Sequence, residues 1–205
     1  MKIRDFGVEI WMNQYETKCA YNLAETCVES LTIAQLLDLA GKRGAILDEL
    51  LPLKLTYGAI EGSERLRGNI AALYAKQKPE NVTITHGAIG ANMLVYATLV
   101  EPGDRVISVL PTYQQHYSIP ESLGADVQIH KLREENGFLP DLDEIARLVT
   151  PNTKLIALTN PNNPTGSVMD RAMMQRVADM AARVGAYVLC DEVYRGVDQA
   201  GDTLS

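Results

Sequence analysis

Cysteine is scarce, with only Cys19, Cys27 and Cys190 in 205 residues. An odd number without C-x2-C spacing excludes a disulfide framework and a structural zinc site, and points to a reducing cytoplasm. Long apolar runs are missing too. None approaches the ~18 residues that cross a bilayer, and no apolar stretch of the secretory-leader kind follows Lys2 and Arg4. A soluble protein with no membrane partner is expected. Positive charge is in deficit, 19 Lys and Arg against 26 Asp and Glu for a net charge of -7. No basic stripe is available to neutralise a phosphate backbone, so nucleic acid is not expected as a partner. Histidine is thin as well. His86, His116 and His130 share no spacing, which favours surface or packing roles over catalysis and metal ligation; His86 alone falls in a loop of interest.

What the chain does contain is an alternation of apolar runs. An irregular opening to about Glu25 leads to an apolar-periodic helix over Thr32 to Leu39, for which Ser30 or Thr32 is the candidate cap. A short helix over Ala45 to Leu51 is stopped by Pro52, and helical spacing recurs from Ser63 to Gln77 at Leu66, Ile70, Leu73 and Tyr74. Beyond Pro79, strands are expected at Val82 to Thr85, Arg105 to Val109, Asp126 to Lys131, Lys154 to Leu158 and Tyr187 to Cys190. Helices separate them at Ala91 to Leu99, from Gln114, at Asp141 to Leu148 and at Asp170 to Val184. The order βαβαβ implies an α/β fold with a mostly parallel sheet and helices on both faces, a three-layer αβα arrangement. Right-handed crossovers then put all strand ends on one edge, where such folds bind ligands.

That edge carries the chemistry. Thr85 to Ala91, with Gly87 and Gly90, joins a strand to a helix. Small residues there serve either tight packing or an anion held by backbone N–H groups at the helix start. Tyr113 in Pro111-Thr112-Tyr113 is placed to stack on a flat ring or to pack at a loop start. Asn160-Pro161-Asn162-Asn163-Pro164-Thr165-Gly166 ends one buried strand and Asp191-Glu192-Val193-Tyr194 another. A carboxylate at the end of a buried strand is costly alone, so Asp191 needs a partner: a cationic ring nitrogen, an Arg or a metal. A metal is not expected, because the ligand cluster it needs is absent from this region.

Taken in order, these segments resemble the class I/II aminotransferases, the fold-type I pyridoxal-phosphate enzymes. The resemblance rests on Tyr57-Gly58, Glu61-Gly62, Leu66-Arg67, Thr85 to Ala91, Pro111-Thr112-Tyr113, Asn160 to Gly166 and Asp191 to Tyr194. It implies that residues 1–45 are an N-terminal segment with part of a small domain, and 46–205 the cofactor-binding large domain, truncated. It also implies pyridoxal 5'-phosphate as cofactor. Asp191 would pair with the ring nitrogen, Asn163 and Tyr194 would hydrogen-bond the ring 3-oxygen, and Tyr113 would stack on the ring. Ala88 and Ile89 would offer backbone N–H groups to the phosphate, and Tyr57 would reach the phosphate of a partner subunit in a homodimer with shared active sites.

In the family a lysine about three dozen residues beyond the Asp-x-x-Tyr strand forms the internal Schiff base. None of the lysines from Lys2 to Lys154 meets that position, and the family's carboxylate-binding Arg falls later still. The resemblance thus implies an N-terminal portion of a longer chain of roughly 350 to 400 residues, catalytically inactive alone. The expected activity of the whole is transfer of an amino group between an amino acid and a 2-oxoacid. Asn22-Leu23-Ala24-Glu25 resembles a segment of the aminocyclopropane-carboxylate synthases and makes Glu25, with Asn163, a candidate substrate contact. Glu25 reads equally well as a solvated loop carboxylate. A pyridoxal-phosphate lyase or cyclase is therefore the second reading, and a non-catalytic relative the third.

Overall fold

Largely apolar runs at residues 106–110 and 155–158 form the middle of the two central strands of a sheet because both of their faces are covered. The computed structural model describes residues 2–197. Its strands β1 (Arg105–Leu110), β2 (Asp126–Lys131), β3 (Thr153–Thr159) and β4 (Tyr187–Asp191) form one sheet in the order β2-β1-β3-β4. Every neighbouring pair is parallel.

Alternate residues of the central strands point to opposite layers. Ile107, Val109, Ile156 and Leu158 meet Leu142, Ile145, Val177 and Met180 of α7 (Leu142–Leu148) and α8 (Arg171–Val184). Val106, Leu155 and Ala157 meet Tyr96 and Ile119 of α5 (Gly87–Leu99) and α6 (Gln115–Ser122). The helices thus flank the sheet in pairs, giving the αβα layering. Side-chain caps set two of the starts. Asp170 accepts from the Met173 N–H and Asp141 from the N–H groups of Asp143 and Glu144, each such cap contributing about 1 kcal/mol.

The chain separates into two compact units, one taking in residues up to Glu25 and from Thr85 onward, the other Thr26–Ile84. The second holds α2 (Ile33–Leu39), α3 (Ile46–Leu50) and α4 (Glu64–Ala71). Thr32 caps α2 in a reciprocal pair with Gln35. Within this unit Arg67 donates from Nε and Nη2 to the Pro79 carbonyl at 3.0 and 2.8 Å and pairs with Glu61 at 3.1 Å. Gly62 adopts a left-handed φ of +101°, and a Cβ there would run into the Ile84 side chain.

Three local expectations are corrected. The opening is not irregular throughout: Gly7–Tyr15 forms α1. Its anchors are tertiary contacts that a local pattern does not display. Phe6 meets the Tyr113 ring edge-on at 5.7 Å, Gln114 donates to the Asp5 carbonyl at 2.9 Å, and Arg4 pairs with Glu121 at 2.9 Å. Val82 to Thr85 is not a sheet strand; the Ile84 N–H donates instead to the Glu61 carbonyl at 2.9 Å. The helix from Ser63 stops at Ala71, where the chain tightens into i→i−3 turns, Leu73 N–H to Ile70 and Tyr74 N–H to Ala71. No helix among the described residues is long and apolar enough to cross a membrane.

Candidate active site

The sheet order reverses at β1 and β3: the chain steps outward from β1 to β2, then returns past β1 to β3 and on to β4. Strand ends at such a switch point border an open crevice. Here Pro111-Thr112-Tyr113 leaves β1 and Asn160 to Gly166 leaves β3. The two loops are stitched together: Thr112 and Thr159 hydroxyls lie 3.2 Å apart, and Asn162 Nδ2 donates to the Pro111 carbonyl at 3.2 Å. The Asn160 N–H joins β4 to this edge, donating to the Asp191 carbonyl at 2.9 Å.

Asp191 is only 7% exposed. Its Oδ2 accepts from Asn92 Nδ2 at 2.8 Å and lies 3.2 Å from His116 Nε2, and its Oδ1 accepts the Val193 N–H at 3.0 Å. Burial pushes this carboxyl up. The hydrogen bonds from His116, Asn92 and Val193, with the charge of His116, outweigh that and hold it below the ordinary carboxylate value. A buried anion therefore sits at the end of β4.

Behind it, His116 Nδ1 lies 3.0 Å from the Tyr96 hydroxyl, and both side chains are fully buried. Since a carboxylate only accepts, Nε2 carries a proton toward Asp191, and Nδ1 faces the Tyr96 hydroxyl. Burial first, then the Asp191 charge, raise the Tyr96 phenol far above its ordinary value, so it stays a donor.

Tyr113 is half-buried, and its hydroxyl donates to Glu9 at 3.0 Å. Burial, the Glu9 hydrogen bond and charge, and the Asp191 charge push this phenol up to about 12.

The start of α5 supplies the opposite polarity. Gly87 takes φ +70°, and the N-cap residue His86 makes no side-chain capping bond. The first-turn N–H groups, those of Ala88 and Ile89 included, have no intrahelical acceptor, and the positive end of a 13-residue helix stands behind them. Gln115 Nε2 grips the Ile89 carbonyl at 2.7 Å and ties this turn to α6.

Of the residues expected at the site, Asp191 ends β4, Tyr113 follows β1, and Ala88 and Ile89 lie in the first turn of α5, which Gln115 and Asn92 link to Asp191; Asn163 and Tyr194, both half-buried, follow the ends of β3 and β4. Neighbouring asparagines hold the β3 loop: Asn160 Oδ1 accepts the Met169 N–H at 2.8 Å, and Asn162 Nδ2 donates to Thr165 at 2.9 Å. Glu25 is exposed at the boundary of the first unit, and Tyr57 is wholly exposed in the second. Sequence reasoning missed Asn92, Gln115 and Tyr96 and gave His116 a surface or packing role. One signal was available. His116 follows Tyr113 by three residues, so a helix starting there turns it back toward the edge that Tyr113 occupies.

The family profile described as aminotransferase class I and II matches residues 51–200. The chain is 33% identical to the arginine–pyruvate transaminase AruH of Pseudomonas aeruginosa, over 78% of this chain and 42% of that protein. It is 31% identical to the capreomycidine synthase of Streptomyces vinaceus, over 91% of this chain and 48% of that one. The crystal structure of a PLP-dependent aminotransferase from Streptococcus suis 89-1591 superposes with a TM-score of 0.90 at 47% identity, covering 94% of this chain and 52% of that chain. This chain thus spans about half the length of these relatives.

Proposed function

The chain belongs to the class I and II aminotransferases, a family of pyridoxal-phosphate-dependent enzymes, and on that footing we propose that it forms the ring- and phosphate-binding part of an enzyme that moves an amino group between an amino acid and a 2-oxoacid. The observation that carries this reading is Asp191, a buried carboxylate held below its ordinary value at a strand end. Such a group suits a protonated ring nitrogen, which restores the charge balance that burial disturbs.

The residues present fit the cofactor. The uncapped first turn of α5 offers N–H donors to a phosphate at Ala88 and Ile89. Tyr113 stays neutral and presents its ring at the crevice, with its hydroxyl turned to Glu9. Asn163 and Tyr194 are assigned to the ring 3-oxygen, and Asn163 and Glu25 to the substrate. When bound, pyridoxal phosphate supplies an electron sink for the electron pair left at the substrate α-carbon. Asp191 keeps the ring-nitrogen proton in place, while His116 and Asn92 keep Asp191 ionised and oriented.

The whole protein is proposed to be a cytoplasmic homodimer in amino acid metabolism, with Tyr57 contributed across the subunit boundary; its complete exposure leaves it available to a partner. A second reading, a cyclase or lyase on the same cofactor, is favoured by the match to capreomycidine synthase along 91% of this chain. Product analysis separates the two. Transamination consumes a 2-oxoacid in equal measure with the amino acid, whereas cyclisation or elimination proceeds without any oxoacid. A whole protein that neither binds pyridoxal phosphate nor turns over amino acids contradicts both.

A further inference from the structure

A line of buried amides connects the two ends of the crevice. Asn92, on α5, donates from Nδ2 both to Asp191 Oδ2 at 2.8 Å and to Gln115 Oε1 at 3.2 Å, and Gln115, the first residue of α6, donates from Nε2 to the Ile89 carbonyl at 2.7 Å. Asn92 is 4% exposed and Gln115 2%. Both ends of this line can only accept. Asp191 is a carboxylate and Ile89 offers a carbonyl, so each amide must present its NH2 outward, and Gln115 Oε1 is left to receive the second proton of Asn92. The orientation of both amides is therefore fixed by chemistry rather than by choice.

We propose that Asn92 and Gln115 are positioning residues that form a brace, fixing the separation between the Asp191 carboxylate and the first turn of α5 so that one ligand engages both at once. The brace rests on the site reading above, in which Asp191 meets the ring nitrogen and the α5 turn meets the phosphate. Packing alone does not call for two amides at this position. An apolar pair of the same volume would fill the space under α6, whereas only a donor–acceptor line transmits a fixed spacing from β4 to the helix start. Neither amide touches the cofactor in this account. Their contribution appears only when both ends of a ligand are held together.

The test compares three probes by isothermal titration with the purified protein: pyridoxal 5'-phosphate, pyridoxal and inorganic phosphate. Gln115→Met cuts the brace while leaving the Asp191–Asn92 bond in place. The expected result is at least a tenfold weaker Kd for pyridoxal phosphate, with pyridoxal and inorganic phosphate, which each use one end, changed less than threefold. Asn92→Ala cuts the adjoining link, and the double variant is expected to bind pyridoxal phosphate no more than about threefold worse than the weaker single variant, as two links of one unit. A merely structural role lowers all three affinities together, or none, and either pattern overturns the brace. Additive losses in the double variant overturn it as well. Should Gln115→Met fail to fold, Gln115→Leu, which also leaves the Asp191–Asn92 bond in place, carries the three-probe comparison. If the unsubstituted protein binds no pyridoxal phosphate, the site reading fails and the brace with it; if it binds and the variants show no selectivity, the brace alone fails.

Discussion

Nε2 of His116 lies 3.2 Å from Oδ2 of Asp191, and neither side chain is more than 7% exposed. The imidazole is one of three groups, with the Asn92 amide and the Val193 N–H, that make a buried carboxylate tolerable. Removing it shows how much of that ionisation depends on a single neighbour. His116→Phe keeps a flat ring in the space and deletes the donor, and is expected to lower stability by ~2–3 kcal/mol. Asp191 has a lowered folded pKa, so its contribution to stability is full above the unfolded value of 3.8 and is lost as pH falls through the folded value. In His116→Phe the folded value rises toward the unfolded one, so the acid loss due to Asp191 shrinks. Urea unfolding as a function of pH reads this directly. An acid limb that stays in place under the substitution contradicts the assignment.

His130 makes the opposite kind of pH dependence. Its Nε2 accepts the Asp141 N–H at 3.1 Å and its Nδ1 faces Glu144 at 3.1 Å, so the ring is neutral with the proton on Nδ1. Burial lowers its pKa against the opposing pull of Glu144. A histidine with a lowered folded pKa contributes stability above its ordinary value of 6.5, and that contribution is lost as pH falls through the folded value. Stability is expected to decline as pH falls from 6.5 toward the folded value, with a slope of at most about 1.4 kcal/mol per pH unit. His130→Leu is expected to remove this component of the slope. A profile that matches the unsubstituted protein just below pH 6.5 contradicts it.

The Glu9 contact gives Tyr113 a spectroscopic signature. With burial, the Glu9 hydrogen bond and its charge raising the phenol to about 12, ultraviolet titration is expected to show one late-ionising tyrosine that Tyr113→Phe deletes. Glu9→Gln should bring it back toward its ordinary 10.0. Because the ring rather than the hydroxyl is assigned to stacking, Tyr113→Phe is expected to hold pyridoxal phosphate within about threefold while Tyr113→Ala weakens it by roughly tenfold, a loss of ~1.4 kcal/mol. Equal affinities for the two variants contradict stacking.

Strand and helix placement from residue 105 onward was legible because each element carries its own signal. Thr153–Thr159 carries the apolar run Leu155 to Leu158, and Arg171–Val184 opens on the Asp170 cap and closes at Gly185 in a left-handed conformation. Asp191 and Tyr113 stand out because they end or follow strands β4 and β1, whereas Ala88 and Ile89 come from the family resemblance. What was not legible depends on contacts between distant positions. Asn92 and Asp191 are 99 residues apart in sequence, and α1 is held by Tyr113, Gln114 and Glu121 rather than by its own pattern. His116, Tyr96 and Gln115 look like ordinary helix residues until the sheet brings β4 beside α5 and α6.

The central claim is that Asp191 holds a proton on the cofactor ring, and nitrogen NMR of bound pyridoxal phosphate labelled at the ring nitrogen tests it most directly. In the unsubstituted protein the label is expected to report a protonated ring nitrogen that persists to higher pH than in the free cofactor. Asp191→Asn keeps the shape without the charge, and is expected to give the neutral ring; Asp191→Glu retains much of the protonated signal. A ring nitrogen that remains equally protonated in Asp191→Asn, or that is neutral in the unsubstituted protein at neutral pH, contradicts the account.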